Sequence, residues 1–208
     1  PGDRAITLSL LAFGMLTGKK VVVRNPSPSP DTEILIRFFR DCGVECIGAP
    51  DMITLRGDRT RETIRISGAV PEEIFHVVAA GAAFGCSRVI IDNPEGKRNN
   101  LLQMLFPALQ KVGLRDENIV SEGNTLVISG AGFSVSGKIS LNSAWEFEAA
   151  AAASIAAQKP LTATGNRQEF SSALSILQLL GLQPSEAGDT PPDPLLKRLS
   201  RISGEKPS

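Results

Sequence analysis

The chain has 208 residues, 42% hydrophobic and 21% charged, which is ordinary for a globular protein. Its 22 basic and 22 acidic residues cancel, which argues against nucleic acid as a partner, because a large polyanion needs a net basic face. No apolar run reaches the roughly 18 residues of a membrane span. Because the first residue is Pro1 and not methionine, we expect a processed or truncated product.

The first 60 residues predict a helix, a strand, a second helix and two closing strands. The first helix is rich in small residues, and the second is followed by Gly43, a stop signal just past the last apolar position. The strands are β-branched runs or short alternating segments. In chain order the predicted elements are 6–16, 19–25, 31–42, 44–47 and 52–56.

The same order of elements recurs twice further along the chain. In the second copy, Gly113 follows the second helix as Gly43 does in the first. The third copy is weaker, and only its first three elements can be predicted. The elements are 71–84, 87–93, 97–112, 118–121 and 125–129 in the second copy, and 144–157, 159–165 and 168–180 in the third.

These repeats predict an α/β domain of three βαβαββ units, with repeats at about 1–60, 61–130 and 131–185. The alanine-rich first helices suit close packing at the centre, so we expect helices inside and sheets outside, an inside-out α/β barrel-like domain. Residues 186–208 form a proline-rich tail that we expect to be disordered. The alternative is a short basic amphipathic helix at 195–202 that contacts a partner.

The three cysteines predict neither a disulfide framework nor a metal site. Cys42 and Cys46 form a lone CxxxC pair with no histidine nearby, and Cys86 lies far along the chain. We therefore expect buried or half-buried thiols in a reducing cytoplasm. No motif indicates a cofactor.

Residues 1–7, Pro-Gly-Asp-Arg-Ala-Ile-Thr, resemble the opening motif of the EPSP synthase (3-phosphoshikimate 1-carboxyvinyltransferase) family. The similarity continues through Arg24-Asn25, Ser-Pro-Asp-Thr at 29–32 and Gly-Val-Glu at 43–45. In the second repeat, Val70-Pro71-Glu72 resembles the family's Ile-Pro-Asp, and Lys97 falls on its catalytic lysine. The resemblance covers about residues 1–185 and is strongest in the first 45.

The resemblance implies enolpyruvyl transfer from phosphoenolpyruvate to shikimate 3-phosphate, a step of aromatic amino-acid biosynthesis. Enzymes of the family close two three-unit domains over their substrates, whereas this chain has one, so we expect a second domain or a partner chain. Both substrates are anions, which arginine, lysine and helix N-termini would bind. The reaction also needs groups that donate and accept protons.

Carried over residue by residue, the resemblance assigns substrate binding to Asp3, Arg4, Asp31 and Thr32. It assigns catalysis to two further residues, Glu72 as general base and Lys97. The family's serine and arginine are replaced by Ala5 and Ser9, and its Asp-His-Arg triplet is absent near Trp145.

The residues also allow readings without catalysis. In such a reading, Asp3 is a helix N-cap and Arg4 is a solvated cation. Glu72 and Glu73 are then first-turn carboxylates that the helix dipole favours, and His76 is a packed or surface histidine. Three hypotheses follow: an enolpyruvyl transferase domain, a non-catalytic relative that binds an anionic metabolite or a protein, and a repeat scaffold.

Overall fold

The structure is a computed structural model, which describes residues 2–57, 62–93, 96–135, 138–166 and 168–182. The predicted tail at 186–208 lies outside the described residues. The helices are α1 (Arg4–Leu16), α2 (Pro30–Asp41), α3 (Glu72–Gly85), α4 (Asn99–Gln110), α5 (Ala144–Ala157) and α6 (Ser171–Leu179). The strands are β1 (Lys20–Arg24), β2 (Glu45–Ala49), β3 (Met52–Arg56), β4 (Thr63–Ile66), β5 (Arg88–Asp92), β6 (Ile119–Glu122), β7 (Thr125–Ser129), β8 (Ile139–Ser140) and β9 (Ala163–Thr164).

The second repeat contains all six elements of the predicted unit. Its sheet has the order β4-β5-β7-β6, in which β4 and β5 are parallel and the other pairs are antiparallel. Helix α3 connects the two parallel strands, as a parallel pair requires, and α4 precedes the closing hairpin. This is a βαβαββ unit.

The first and third repeats show overlapping parts of that unit. The sheet β1-β3-β2 is antiparallel throughout and matches the last three strands of the second repeat. The sheet β8-β9 is parallel and matches its first two strands. The strand predicted at 159–165 is reduced to the two residues of β9. It is shorter because Lys159 still caps α5 and Pro160 has no N–H to donate.

Helices α1, α3 and α5 form the centre of the domain. Every residue of α3 from Ile74 to Phe84 is buried, and so is the run of alanines at 149–153 in α5. Small side chains let the helices approach closely: Gly85 lies against Ala156, and a side chain at Gly81 would overlap Leu16. The structure confirms the predicted fold class, with helices inside and sheets outside.

The inner helices run in the same direction. Near their first turns, Arg4 of α1 contacts Glu73 of α3, and His76 of α3 contacts Glu148 of α5. Near their last turns, Gly85 of α3 lies against α5. The three N-termini therefore lie at the same end of the domain.

Local side-chain bonds decide where the helices begin. Asp3, Ser29 and Ser143 accept N–H bonds from the first turns of α1, α2 and α5. Helix α4 begins two residues later than predicted, because the Asn93 side chain accepts the Arg98 N–H and holds a loop there. Likewise, Asn166 accepts the N–H of residue 168, which delays α6.

The longest described helices have 14 residues, and no helix in this part of the chain could span a bilayer.

We predict that Gly113→Ala destabilises the fold by about 1–3 kcal/mol, because this residue has a φ of 113°. An added Cβ would also overlap the backbone carbonyl of Gly132. The matched control is Gly132→Ala in the facing loop after β7, where a Cβ would meet open space. Urea unfolding of both variants tests this, and equal midpoints would contradict it.

Candidate active site at the helix N-termini

Arg4 joins the first turns of three helices. Its Nε donates to Asp31 Oδ2 of α2 at 2.7 Å, and its Nη1 donates to Glu73 Oε1 of α3 at 2.8 Å. The hydrogen bond from Arg4 is the largest cause that lowers the pKa of Glu73, and the two carboxylates raise the pKa of Arg4. The predicted residues Arg4 and Asp31 are therefore brought together, with Glu73 as a partner that the sequence did not reveal.

Asp3 and Thr32, the other predicted substrate-binding residues, are engaged in local structure. Asp3 Oδ1 accepts the Ile6 N–H at 2.9 Å, which is the N-cap that the residues alone also allowed. The buried Thr32 hydroxyl donates to the Ser27 carbonyl at 3.0 Å and lies 2.9 Å from the Ser29 hydroxyl. Thr32 thus holds the loop that leads into α2.

Glu72 and Lys97, the predicted catalytic residues, lie at the starts of α3 and α4. Glu72 is the first residue of α3 and is exposed, and Lys97 is exposed in the loop before α4. Neighbouring Arg98 is 5% exposed, and its Nη2 donates to the carbonyls of Gly68 and Val70 at 3.0 and 2.9 Å.

Arg98 is a structural cation. Its guanidinium lies 4.4 Å from the centre of the Phe75 ring. Burial lowers the pKa of Arg98, while the nearby carboxylates of Glu72 and Asp92 act in the opposite direction. Because arginine keeps its proton in proteins, Arg98 can fix the loop before α3 but cannot transfer a proton.

A second cluster lies between α3 and α5. His76 Nε2 is 2.6 Å from Glu148 Oε2, and the imidazole stacks on Trp145 with ring centres 4.6 Å apart. His76 was expected to be packed or at the surface, and the structure buries it. Glu148 was not predicted, although a carboxylate inside an alanine-rich helix is a signal that could have identified it.

Glu146 fixes the start of α5. Its Oε2 accepts from Nζ of Lys111, the residue just after α4, and from the Asn142 N–H, both at 2.8 Å. Burial raises the pKa of Glu146, but the bonds from Lys111 and Asn142 outweigh it, so the pKa lies below its usual value.

The arrangement combines the Arg4 guanidinium with several carboxylates at the helix N-termini. Helix N-termini favour negative charge, and here the protein supplies it with Asp31, Glu72 and Glu73. An anionic ligand would have to compete with Asp31 and Glu73 for Arg4. The first-turn carboxylates are also candidate proton acceptors.

No family model and no curated protein matches this chain. Among solved structures, it is similar to EPSP synthase from Acinetobacter baumannii in two structures: 14% identity and TM-score 0.58 in one, 17% and 0.52 in the other, each covering 99% of this chain. It is also similar to the enolpyruvyl transferase NikO from Streptomyces tendae, with 14% identity and TM-score 0.51 over 84% of this chain. The chain spans 42–43% of the length of these proteins, and it shares their fold.

We predict that Glu146→Gln destabilises the domain by about 1–2 kcal/mol at neutral pH, since it removes a charged hydrogen-bond acceptor. Because folding lowers the pKa of Glu146, its contribution is present above the ordinary value of 4.5 and is lost as the pH falls through the folded value. The difference from wild type should therefore vanish in acid.

Chemical unfolding at a series of pH values tests this prediction. The control is Glu117→Gln, which removes a carboxylate from an exposed pair with Arg115 and should change little. A loss of stability that is independent of pH would contradict the assignment.

Proposed function

We propose that this chain is one of the two three-unit domains of an enolpyruvyl transferase. The domain would comprise residues 1–185, in the three repeats that the sequence predicts. One observation carries the proposal: the fold agrees over nearly all of this chain with less than half of each enolpyruvyl transferase chain. A second domain, in the same protein or in a partner, would close over the helix N-termini.

The specific reaction proposed is transfer from phosphoenolpyruvate to shikimate 3-phosphate, in the cytoplasm, as a step of aromatic amino-acid biosynthesis. It rests on the resemblance of residues 1–7 and 70–72 to the family motifs. The proposal requires no cofactor, because the reaction needs only charge stabilisation and proton transfer.

Arg4 is the proposed anion-binding group. Its side chain is 41% exposed and that of Glu73 is 53% exposed. Exposed ion pairs contribute only about 0–1 kcal/mol, so a phosphate or carboxylate can displace Glu73 from the guanidinium. Asp31 would keep the guanidinium oriented while Asp3 and Thr32 maintain the first turns that surround it.

Glu72 is the proposed general base, and Lys97 a proposed cation for the phosphate. Both are exposed at the end of the domain where a second domain would close. Closure would exclude water, and the lower dielectric would strengthen every charged contact. It would also add cations from the second domain.

The test begins with binding. Phosphoenolpyruvate or shikimate 3-phosphate at 100 times its dissociation constant should stabilise the chain by about 2.7 kcal/mol, measured as a thermal shift. Phosphate release from the mixture of both substrates then measures turnover, alone and with a complementing domain. The absence of a shift with both anions would refute the proposed function.

We predict that Arg4→Ala abolishes the thermal shift, because it removes the guanidinium that binds the anion. Arg65→Ala is the matched control, since Arg65 forms an ion pair with Asp92 that is likewise exposed but lies on a sheet. The control should keep the full shift. An unchanged shift in Arg4→Ala would place the anion elsewhere.

We also predict that Glu73→Gln tightens anion binding by about twofold to fivefold, because it removes the carboxylate that competes for Arg4. Isothermal titration with phosphoenolpyruvate measures the change. Weaker binding would show that Glu73 supports the anion site and does not compete with it.

A further inference from the structure

His76 is the only histidine and Trp145 the only tryptophan of the chain, and the two rings are stacked. The histidine is 2% exposed, whereas the side chain of its partner Glu148 is 23% exposed. The carboxylate therefore reaches solvent from the buried imidazole that holds it. A partly exposed acid fixed by a buried histidine is a built arrangement and not a surface ion pair.

The contacts of the imidazole favour one tautomer. Nε2 faces Glu148 Oε2, and an ionised carboxylate can only accept, so the geometry favours the tautomer with the proton on Nε2. Nδ1 is buried and has no hydrogen-bond partner among the described residues. A second proton on Nδ1 would leave a buried N–H without an acceptor, which is unfavourable. Glu148 is the member of the pair that reaches solvent and could meet a substrate.

The pair lies at the end of the domain where the site is. Glu72 and Glu73 are one turn before His76 on the same side of α3, because residues three and four apart share a helix face. Glu148 is in the second turn of α5, and side chains lean toward the helix N-terminus. Glu148 and Glu72 therefore both lie at the end of the domain where the inner helices begin.

We propose that Glu148 is a second proton-transfer group of this site and that His76 is its positioning residue. The inference rests on the proposed function and names the acid that the reaction requires. Arg98, which follows Lys97, cannot serve as that acid. The sequence resemblance does not point to Glu148 or His76.

In the proposed step, Glu148 gives its proton to the methylene carbon of phosphoenolpyruvate. The hydroxyl oxygen of the second substrate bonds to the adjacent carbon, and its proton goes to Glu72. In the second half of the reaction, Glu148 acts as a base. It takes a proton from the new methyl group as the carbon–oxygen bond to phosphate breaks. The electron pair of that bond leaves with phosphate, which receives the proton held by Glu72.

The first test does not require turnover. Because His76 is the only histidine, its two ring nitrogens can be assigned directly by ¹⁵N NMR of the whole chain. We expect the tautomer with the proton on Nε2, and a change in the Nε2 resonance when phosphoenolpyruvate binds. In Glu148→Gln that change should disappear, while the thermal shift with phosphoenolpyruvate stays.

Each outcome of this test decides one claim. A thermal shift without any response of His76 would overturn the role of Glu148 and leave the proposed function intact. No thermal shift in wild type would overturn the proposed function and this inference with it. A proton on Nδ1 and not on Nε2 would overturn the pair itself.

The second test is kinetic, under conditions where wild type releases phosphate. Glu148→Gln should lower kcat by about 10²–10⁴-fold with little change in KM, and should lower deuterium incorporation from D₂O into the vinyl carbon equally. His76→Gln, whose amide can still donate to Glu148, should retain more activity than His76→Leu. Thermal unfolding identifies any variant that does not fold, and Glu117→Gln is the control.

Wild-type kcat in Glu148→Gln would overturn the inference. So would equal activity of the two His76 variants, because a positioning residue must be rescued by the side chain that keeps its hydrogen bond. A purely structural role would lower the melting temperature without this difference.

Discussion

The close approach of α3 and α5 is the constraint on which the remaining structure depends. Beyond the stacked rings of His76 and Trp145, the five consecutive alanines of α5 and the alanines and glycines of α3 let the two helices pack closely. Large residues such as Phe13 and Phe75 fill the core around them. The two helices run parallel, since His76 contacts Glu148 near their first turns and Gly85 lies against Ala156 near their last turns. The N-termini, with their unpaired N–H groups, consequently share one end of the domain.

That end attracts negative charge, and the protein supplies much of it. Glu72, Glu73 and Asp31 occupy first turns, where the helix dipole stabilises carboxylates. Arg4 compensates two of them and so connects α1, α2 and α3. The same ion pairs that hold the end together in the absence of ligand are weak enough to exchange, since they are exposed. A cation that is already partnered suits the proposed function, in which anion binding requires a second domain to close on this one.

The sequence could predict the helices and most strands, because their signals are local. Apolar periodicity and the glycines after α2 and α4 locate helices to within a few residues, and Asp3 is recognisable as a cap. The partners of Arg4 lie 27 and 69 positions away, and Glu148 lies 72 positions from His76. No local pattern encodes such pairs, so the sequence suggested residues but not their contacts. The third repeat was predicted least well because Pro160 and the capped end of α5 leave only two residues of β9.

Two buried polar atoms without a partner are found among the described residues, His76 Nδ1 and Arg98 Nη1. Both belong to side chains that contact α3 or the segment just before it, at the end where the inner helices begin. Each unsatisfied buried group costs stability that an apolar residue of the same size would avoid. Stability alone therefore does not account for a histidine and an arginine at these positions. Local rules of packing are most often broken at functional sites, and both exceptions here lie near the start of α3. This coincidence favours the proposed chemical role for the end of the domain where the inner helices begin.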